Sequence, residues 1–235
     1  MIVTIHQPEH MPWLGFFHKI ARADCFVILD NVQFSKNYFQ NRNKIRTHDG
    51  WMWVTVPVTR KLKTIIKDVL ITENTRWKDK WWSSVSLAYR RSKYLKDYEQ
   101  GLRHIIASTS SNLCSFNVSL IRYICKSFGI RTDIVLASRL DVKGNGSDLI
   151  IDICRKLKAD EYLSGISGKE YLRTEDFKKE NIKISFQEFH HPIYRQLYEP
   201  FEPCMSSIDL LFNHGPMSMD IINGRGVEVI KEVFV

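Results

Sequence analysis

No run of eighteen apolar residues occurs in this 235-residue chain, and Met1 leads at once into a strand-like Ile-Val-Thr-Ile rather than a basic-then-apolar leader. A membrane segment is therefore not expected, and a soluble cytoplasmic protein is. Cysteine is sparse: Cys25, Cys114, Cys125, Cys154 and Cys204 are odd in number, widely spaced and without a Cys-x-x-Cys pair. They read as reduced, buried thiols. None adjoins a histidine or a clear helix start, which disfavours a cysteine nucleophile. No internal repeat or low-complexity linker divides the chain. Nor is there a basic tail: the net charge of +8 is spread along the sequence. That excess draws phosphates, nucleotides or nucleic acid without marking a dedicated nucleic-acid arm.

What is present is apolar material for a sizeable core, at 44% hydrophobic content, organised by period. Ile2 to His6 and Cys25 to Leu29 read as buried parallel strands, and Trp13 to Ala23 between them spaces its large apolar residues helically. This is a β-α-β unit, with Pro12 suited to the first helical turn. Ser35 to Gly50 is polar and basic and reads as a loop before a strand over Trp51 to Val58. Helical stripes follow at Trp77 to Ser92 and Asn112 to Phe128, the second stopped by Gly129. Thr132 to Ala137 is a strand, Ser147 to Lys158 a helix, Glu161 to Leu163 a strand, Ile182 to Glu188 the last strand of the sheet, and Ile208 to Phe212 a helix. The expected fold class is α/β: a single domain over residues 1–235, a Rossmann-like parallel sheet flanked by helices, with a helical insertion over about 75–128.

In such a sheet ligands bind where strands end and helices begin. "HQPEHMPWLG" occupies that place after the first strand and "DNVQF" after the second. His6 and His10 are four apart, but Pro8 and Pro12 forbid a regular helix between them, so no metal is expected there. "SGISGK" lacks the spacing of a Walker motif. His190 and His191 point opposite ways if extended, so at most one of them faces a site.

The stretch "VTIHQPEHMPWLGFFHKIARADCFVILDNVQF" resembles the start of pantothenate synthetases and, more loosely, of HIGH-type nucleotidylyl transferases. On that resemblance His10 matches the first histidine of their motif, and Asn31, Gln33 and Phe34 match a second signature. Trp13 falls where the second histidine stands and Pro12 where glycine stands, which removes half of the imidazole pair that grips a triphosphate. The series "IHQPEHMPWLGFFHKIARADCFVILDNVQFSKNYFQNRNKI", "WVTVPV", "YLSGISGKEYL", "HPIY" and "SSIDLLFNHGP" resembles the WbqC-like family over nearly the whole chain. That resemblance implies bacterial O-antigen or other surface polysaccharide biosynthesis and the decoration of amino sugars with amino-acid or related acyl groups.

Together the two resemblances imply an amide-forming transferase, or an ATP-dependent carboxylate-amine ligase, acting on a nucleotide-linked amino sugar. ATP or an activated acyl or aminoacyl donor would supply the activation. His10 is expected at a phosphate or the reacting carbonyl, with His6 or Asp30 as base. Gln7 and Gln33 would orient the acyl group or sugar, Trp13 would form a rigid apolar wall, and Asn41, Arg42 and Asn43 would hold a diphosphate. Ser164, Gly165, Ser167, Gly168 and Lys169 would form a second anion-binding turn, with His191 as a further substrate contact. The alternative is a nucleic-acid-binding module, or a transferase whose donor is a charged tRNA. It rests on the net charge and on Trp77, Trp81, Trp82, Tyr89, Tyr94 and Tyr98, which interleave with lysines and arginines, although helical spacing sends most such rings to the core. A non-catalytic carbohydrate-binding protein is a third reading. The oligomeric state is left open.

Overall fold

β-Branched and apolar runs bounded by turns form the strands, and amphipathic stripes form the helices. The structure is a computed structural model that describes residues 1–230 other than 36, 60, 74, 75 and 110. In chain order the elements are β1 (Ile2–His6), α1 (Leu14–Ile20), β2 (Cys25–Ile28), β3 (Arg42–Thr47), β4 (Gly50–Thr55), β5 (Val58–Thr59), β6 (Leu70–Ile71), α2 (Trp77–Ala88), α3 (Leu95–Ala107) and α4 (Leu113–Ser127). There follow β7 (Asp133–Leu136), α5 (Ser147–Leu157), β8 (Glu161–Ser164), α6 (Gly168–Tyr171), α7 (Thr174–Lys179), β9 (Lys183–Phe186), β10 (His191–Pro192), α8 (Ile208–His214), α9 (Ser218–Ile222) and β11 (Val229–Ile230).

Five strands pair in parallel in the order β7-β2-β1-β8-β9, the Rossmann-like α/β sheet expected from the sequence. The chain winds outward from β1 through β2 to β7, then returns across β1 to place β8 and β9 on its other side. The direction of winding therefore reverses between β1 and β8. Period-two alternation divides the strand side chains between two faces. Phe26 and Ile28 enter the cluster holding Phe16, Phe17 and Ile20, while Val3, Ile5, Cys25 and Val27 join Ile150, Ile153 and Cys154 of α5.

Three sequence expectations change. The polar stretch before Gly50 is not a loop throughout: Arg42–Thr47 pairs antiparallel with Gly50–Thr55. Its apolar period was hidden because buried Asn41 and Asn43 take inward positions as hydrogen-bonding groups. Pro12 lies outside α1, whose N-cap is Trp13, because Met11 before it adopts φ +43° and turns the chain sharply. α3 falls inside the helical insertion expected over about 75–128 but was not resolved from sequence as a helix of its own. Its apolar residues Leu102, Ile105 and Ile106 are flanked by Arg103 and His104, and Gly101 sits inside it because the Tyr123 ring lies against it: a Cβ there would come within 2.3 Å. No helix among the described residues is long and apolar enough to cross a membrane.

Candidate active site

The carboxyl ends of β1 and β8 flank the reversal point, where an open parallel sheet leaves a crevice for a ligand. Register pairs Thr4 with Leu163, so His6 and Gln7 on one strand and Ser164 and Gly165 on the other leave the sheet side by side. The loop after β2 is tied to the same place. His10 N–H donates to Phe39 O at 2.8 Å, and the Gln40 amide donates to Gln7 Oε1.

Three ionisable side chains converge where β1 ends. Glu9 is buried, with His6 Nδ1 3.8 Å from its Oε1 and no hydrogen-bond partner on Oε2. Lys19 is 3% exposed and donates from Nζ to Ile5 O at 3.2 Å. It has no solvent-facing side to take, because every residue of α1 is buried. Burial raises the Glu9 carboxyl to about 7, against the opposing pull of Lys19. Burial lowers the Lys19 ammonium to about 8, against the opposing pull of Glu9. One carboxyl and one amine thus exchange protons near neutral pH, which suits acid-base work. Burial and then Lys19 push His6 down to about 3, so its ring is neutral. Its Nδ1, 3.1 Å from Gln7 O, carries the proton and donates it to that carbonyl, leaving Nε2 an acceptor.

His10 does not reach this cluster. Its ring is fully buried, and Nε2 accepts the Trp81 indole N–H at 2.8 Å. Indole only donates, so Nε2 is unprotonated and Nδ1 carries the hydrogen, donating to Asn117 Oδ1 at 3.1 Å. Asn117 in turn donates to Pro8 O at 3.0 Å and to Gln40 O at 2.7 Å. Burial lowers His10 to about 4. Both nitrogens are consumed in a closed network, which corrects the expectation that His10 meets a phosphate or carbonyl. His191 is spent the same way: Nε2 accepts the Cys204 N–H at 3.1 Å and Nδ1 donates to Pro192 O at 2.8 Å.

A sequence profile of the WbqC-like protein family matches residues 7–221. The chain belongs to the WbqC-like family. It is 31% identical over 224 residues to the uncharacterized protein Rv1507c of Mycobacterium tuberculosis, covering 94% of this chain and 96% of that protein. No solved structure matches it.

Other expected site residues of this WbqC-like chain distribute as follows. Asp30 holds Ser138, accepting its N–H at 2.9 Å and its hydroxyl at 2.6 Å, so the expected base is instead a clamp between the ends of β2 and β7. Asn43 donates to His10 O at 3.1 Å and Met11 O at 2.8 Å, and Asn41 donates to Val56 O at 3.0 Å. These two amides brace the Met11 turn and the hairpin. Arg42, between them, turns outward and lays its guanidinium 4.1 Å from the Trp53 ring centroid, so the three residues do not form one diphosphate cradle. Trp13 packs edge-on against Phe189 at 5.3 Å and stacks on His191 at 6.3 Å. Its indole also covers Gly15, where a Cβ would lie 2.5 Å from ring carbons. Gln33 is exposed, on a backbone bridge to Ile65. Ser164 is buried and donates to Gly165 O at 3.0 Å, Ser167 is exposed, and Lys169 extends over Phe186 at 5.4 Å. Gly168 packs directly on the Ser164 hydroxyl.

Of the expected residues, the register brings His6, Gln7, Ser164 and Gly165 together at the carboxyl ends of β1 and β8. Glu9 and Lys19 were missed. The signal was a lysine inside a helix whose neighbours Phe16, Phe17 and Ile20 all call for burial, and a carboxylate between two prolines in the first strand-to-helix turn.

Proposed function

We propose that this chain forms an amide on the amino group of a nucleotide-linked amino sugar in surface polysaccharide assembly, at the carboxyl ends of β1 and β8. The observation that carries the reading is the buried Glu9 with one unpartnered oxygen, poised beside His6 and Lys19. The sugar amine attacks the carbonyl carbon of an activated acyl donor. A C–N bond forms, and the bond from carbon to the leaving group breaks with its electron pair. Glu9 as carboxylate takes the amine proton, Lys19 offers positive charge to the oxyanion or the departing anion, and His6 Nε2 and Gln7 orient the amine by hydrogen bonding.

Glu9→Gln is the test, because it keeps shape and removes the base. With a nucleotide-linked amino sugar and acyl-adenylate, acyl-coenzyme A or aminoacyl-tRNA as donor, product is read by mass spectrometry. Wild type is expected to turn over with rate rising through pH about 7, as Glu9 loses its proton. The variant is expected to lose roughly 10²–10⁴-fold in turnover. Undiminished turnover in Glu9→Gln, or no product with any donor, defeats the reading.

A further inference from the structure

The β3–β4 hairpin carries a second chemistry, away from the Glu9 cluster. Alternation puts Asn43, Ile45 and Val54 inward, and Arg42, Lys44, Trp51 and Trp53 on the other face, where Lys44 is directly opposite Trp53 and where Arg46, opposite Trp51, is buried with its guanidinium donating to Pro200 O at 2.7 Å. Trp51 is 42% exposed and Tyr38 52% exposed. Ring contacts ring between them: Trp51 meets Trp53 edge-on at 5.6 Å and 82°, the half-buried Trp53 meets the half-buried Phe39 at 5.9 Å and 53°, and Phe39 meets Tyr38 edge-on at 5.2 Å and 75°. Cations are set along this line, Lys44 at 4.8 Å from Trp51 and Arg42 at 4.1 Å from Trp53, with one Arg42 Nη donating to Asn37 O at 2.5 Å. Among the described residues neither Arg42 nor Lys44 forms an ion pair with a carboxylate.

We infer that this outer face is a binding track for single-stranded nucleic acid, whose bases stack on the exposed Trp51 and Tyr38 at the two ends of the aromatic line while Lys44 and Arg42 meet the phosphates between them. A polyanion is called for because the cations are uncompensated by acids and the whole chain carries +8. A chain of stacking units is called for because exposed rings, Trp51 and Tyr38, stand at both ends of the line, whereas a single nucleotide engages one ring and its phosphates. Guanidinium and ammonium groups already lying on indoles are held in place before the ligand arrives, which spares their ordering on binding. Of the helical aromatics named from sequence, Trp77, Trp81 and Tyr89 are buried in the core, and Trp82, Tyr94 and Tyr98 are half-buried. The inference stands independently of the amide chemistry.

Anisotropy of a labelled single-stranded oligouridylate tests it, titrated with full-length protein at several salt concentrations. Wild type is expected to bind with affinity falling steeply as salt rises. Trp51→Ala is expected to weaken binding about tenfold, the loss of one stacking contact. Lys44→Gln is expected to reduce the slope of log affinity on log salt by about 1. Both side chains lie on the outer face, and thermal melts confirm that the variants are folded. Glu9→Gln is expected to bind like wild type, so failure of the catalytic reading and failure of this one are told apart. No binding at low salt, unchanged binding in both hairpin variants, or capture of labelled polygalacturonate that the oligonucleotide does not displace would each overturn the inference.

Discussion

His10 is bound by its surroundings to stay neutral, and that has a measurable consequence. Its folded value is about 4, against about 6.5 for a free imidazole. The depressed value means that the unfolded chain takes up this proton first as pH falls. The contribution of neutral His10 to stability is therefore complete above pH about 6.5 and is lost progressively as pH falls toward 4. Between pH 7.5 and 5 the loss works out at about 2 kcal/mol. Total stability falls by a different amount, because His6, His18 and His191, all depressed by burial, add to this loss whereas the raised Glu9 carboxyl opposes it. A comparison with His10→Gln cancels those shared terms. At pH 7.5 the variant leaves the Trp81 indole N–H or Asn117 Oδ1 without its partner in the core and is expected to be less stable by about 3 kcal/mol. At pH 5 that gap should narrow by about 2 kcal/mol, since the variant carries no imidazole to titrate. Urea unfolding at the two pH values measures both gaps, and nitrogen-15 shifts of the ring report the Nδ1-protonated tautomer. A gap that is the same at both pH values would mean that His10 titrates as a free imidazole does, and would refute the closed network.

Asn43→Ala removes two bonds to the backbone of the strained turn at Met11 and is expected to destabilise the fold by about 1–3 kcal/mol, read from the shift in urea midpoint. All five cysteines are free and buried, with Cys114, Cys125 and Cys154 pushed up to about 12 by burial, so a water-soluble thiol reagent is expected to label none in the native protein and five after unfolding. Rapid labelling of the native chain would contradict that packing.

Local signals carried much of the fold. β1, α1, β2 and α5 were legible because each is a short run whose period and boundary residues agree, and the order of strands and helices then points to a parallel sheet. β3 was not legible, because an asparagine satisfied by backbone carbonyls is buried as completely as a leucine and leaves no hydrophobic period behind. The same blindness governed the site. "HQPEHMPWLGFF" identifies a strand-to-helix turn at the edge where such sheets bind ligands, and its resemblance to a histidine motif favours His10 over His6, whereas the fold closes His10 into a network and leaves His6 beside Glu9.

By itself the sequence determined the alternation of strands and helices, the reduced thiols, the basic field and the place of the first turn, since these depend on composition and on neighbours along the chain. Only the tertiary structure decided which ionisable groups remain available there. Trp81 and Asn117, 71 and 107 residues from His10, take up both nitrogens of its ring, while Glu9 keeps a buried oxygen without a partner and Lys19 is drawn beneath the end of β1. The physical reason is that a side chain's proton affinity and hydrogen-bonding capacity are set by what surrounds it in space, and for this turn the surroundings come from distant helices.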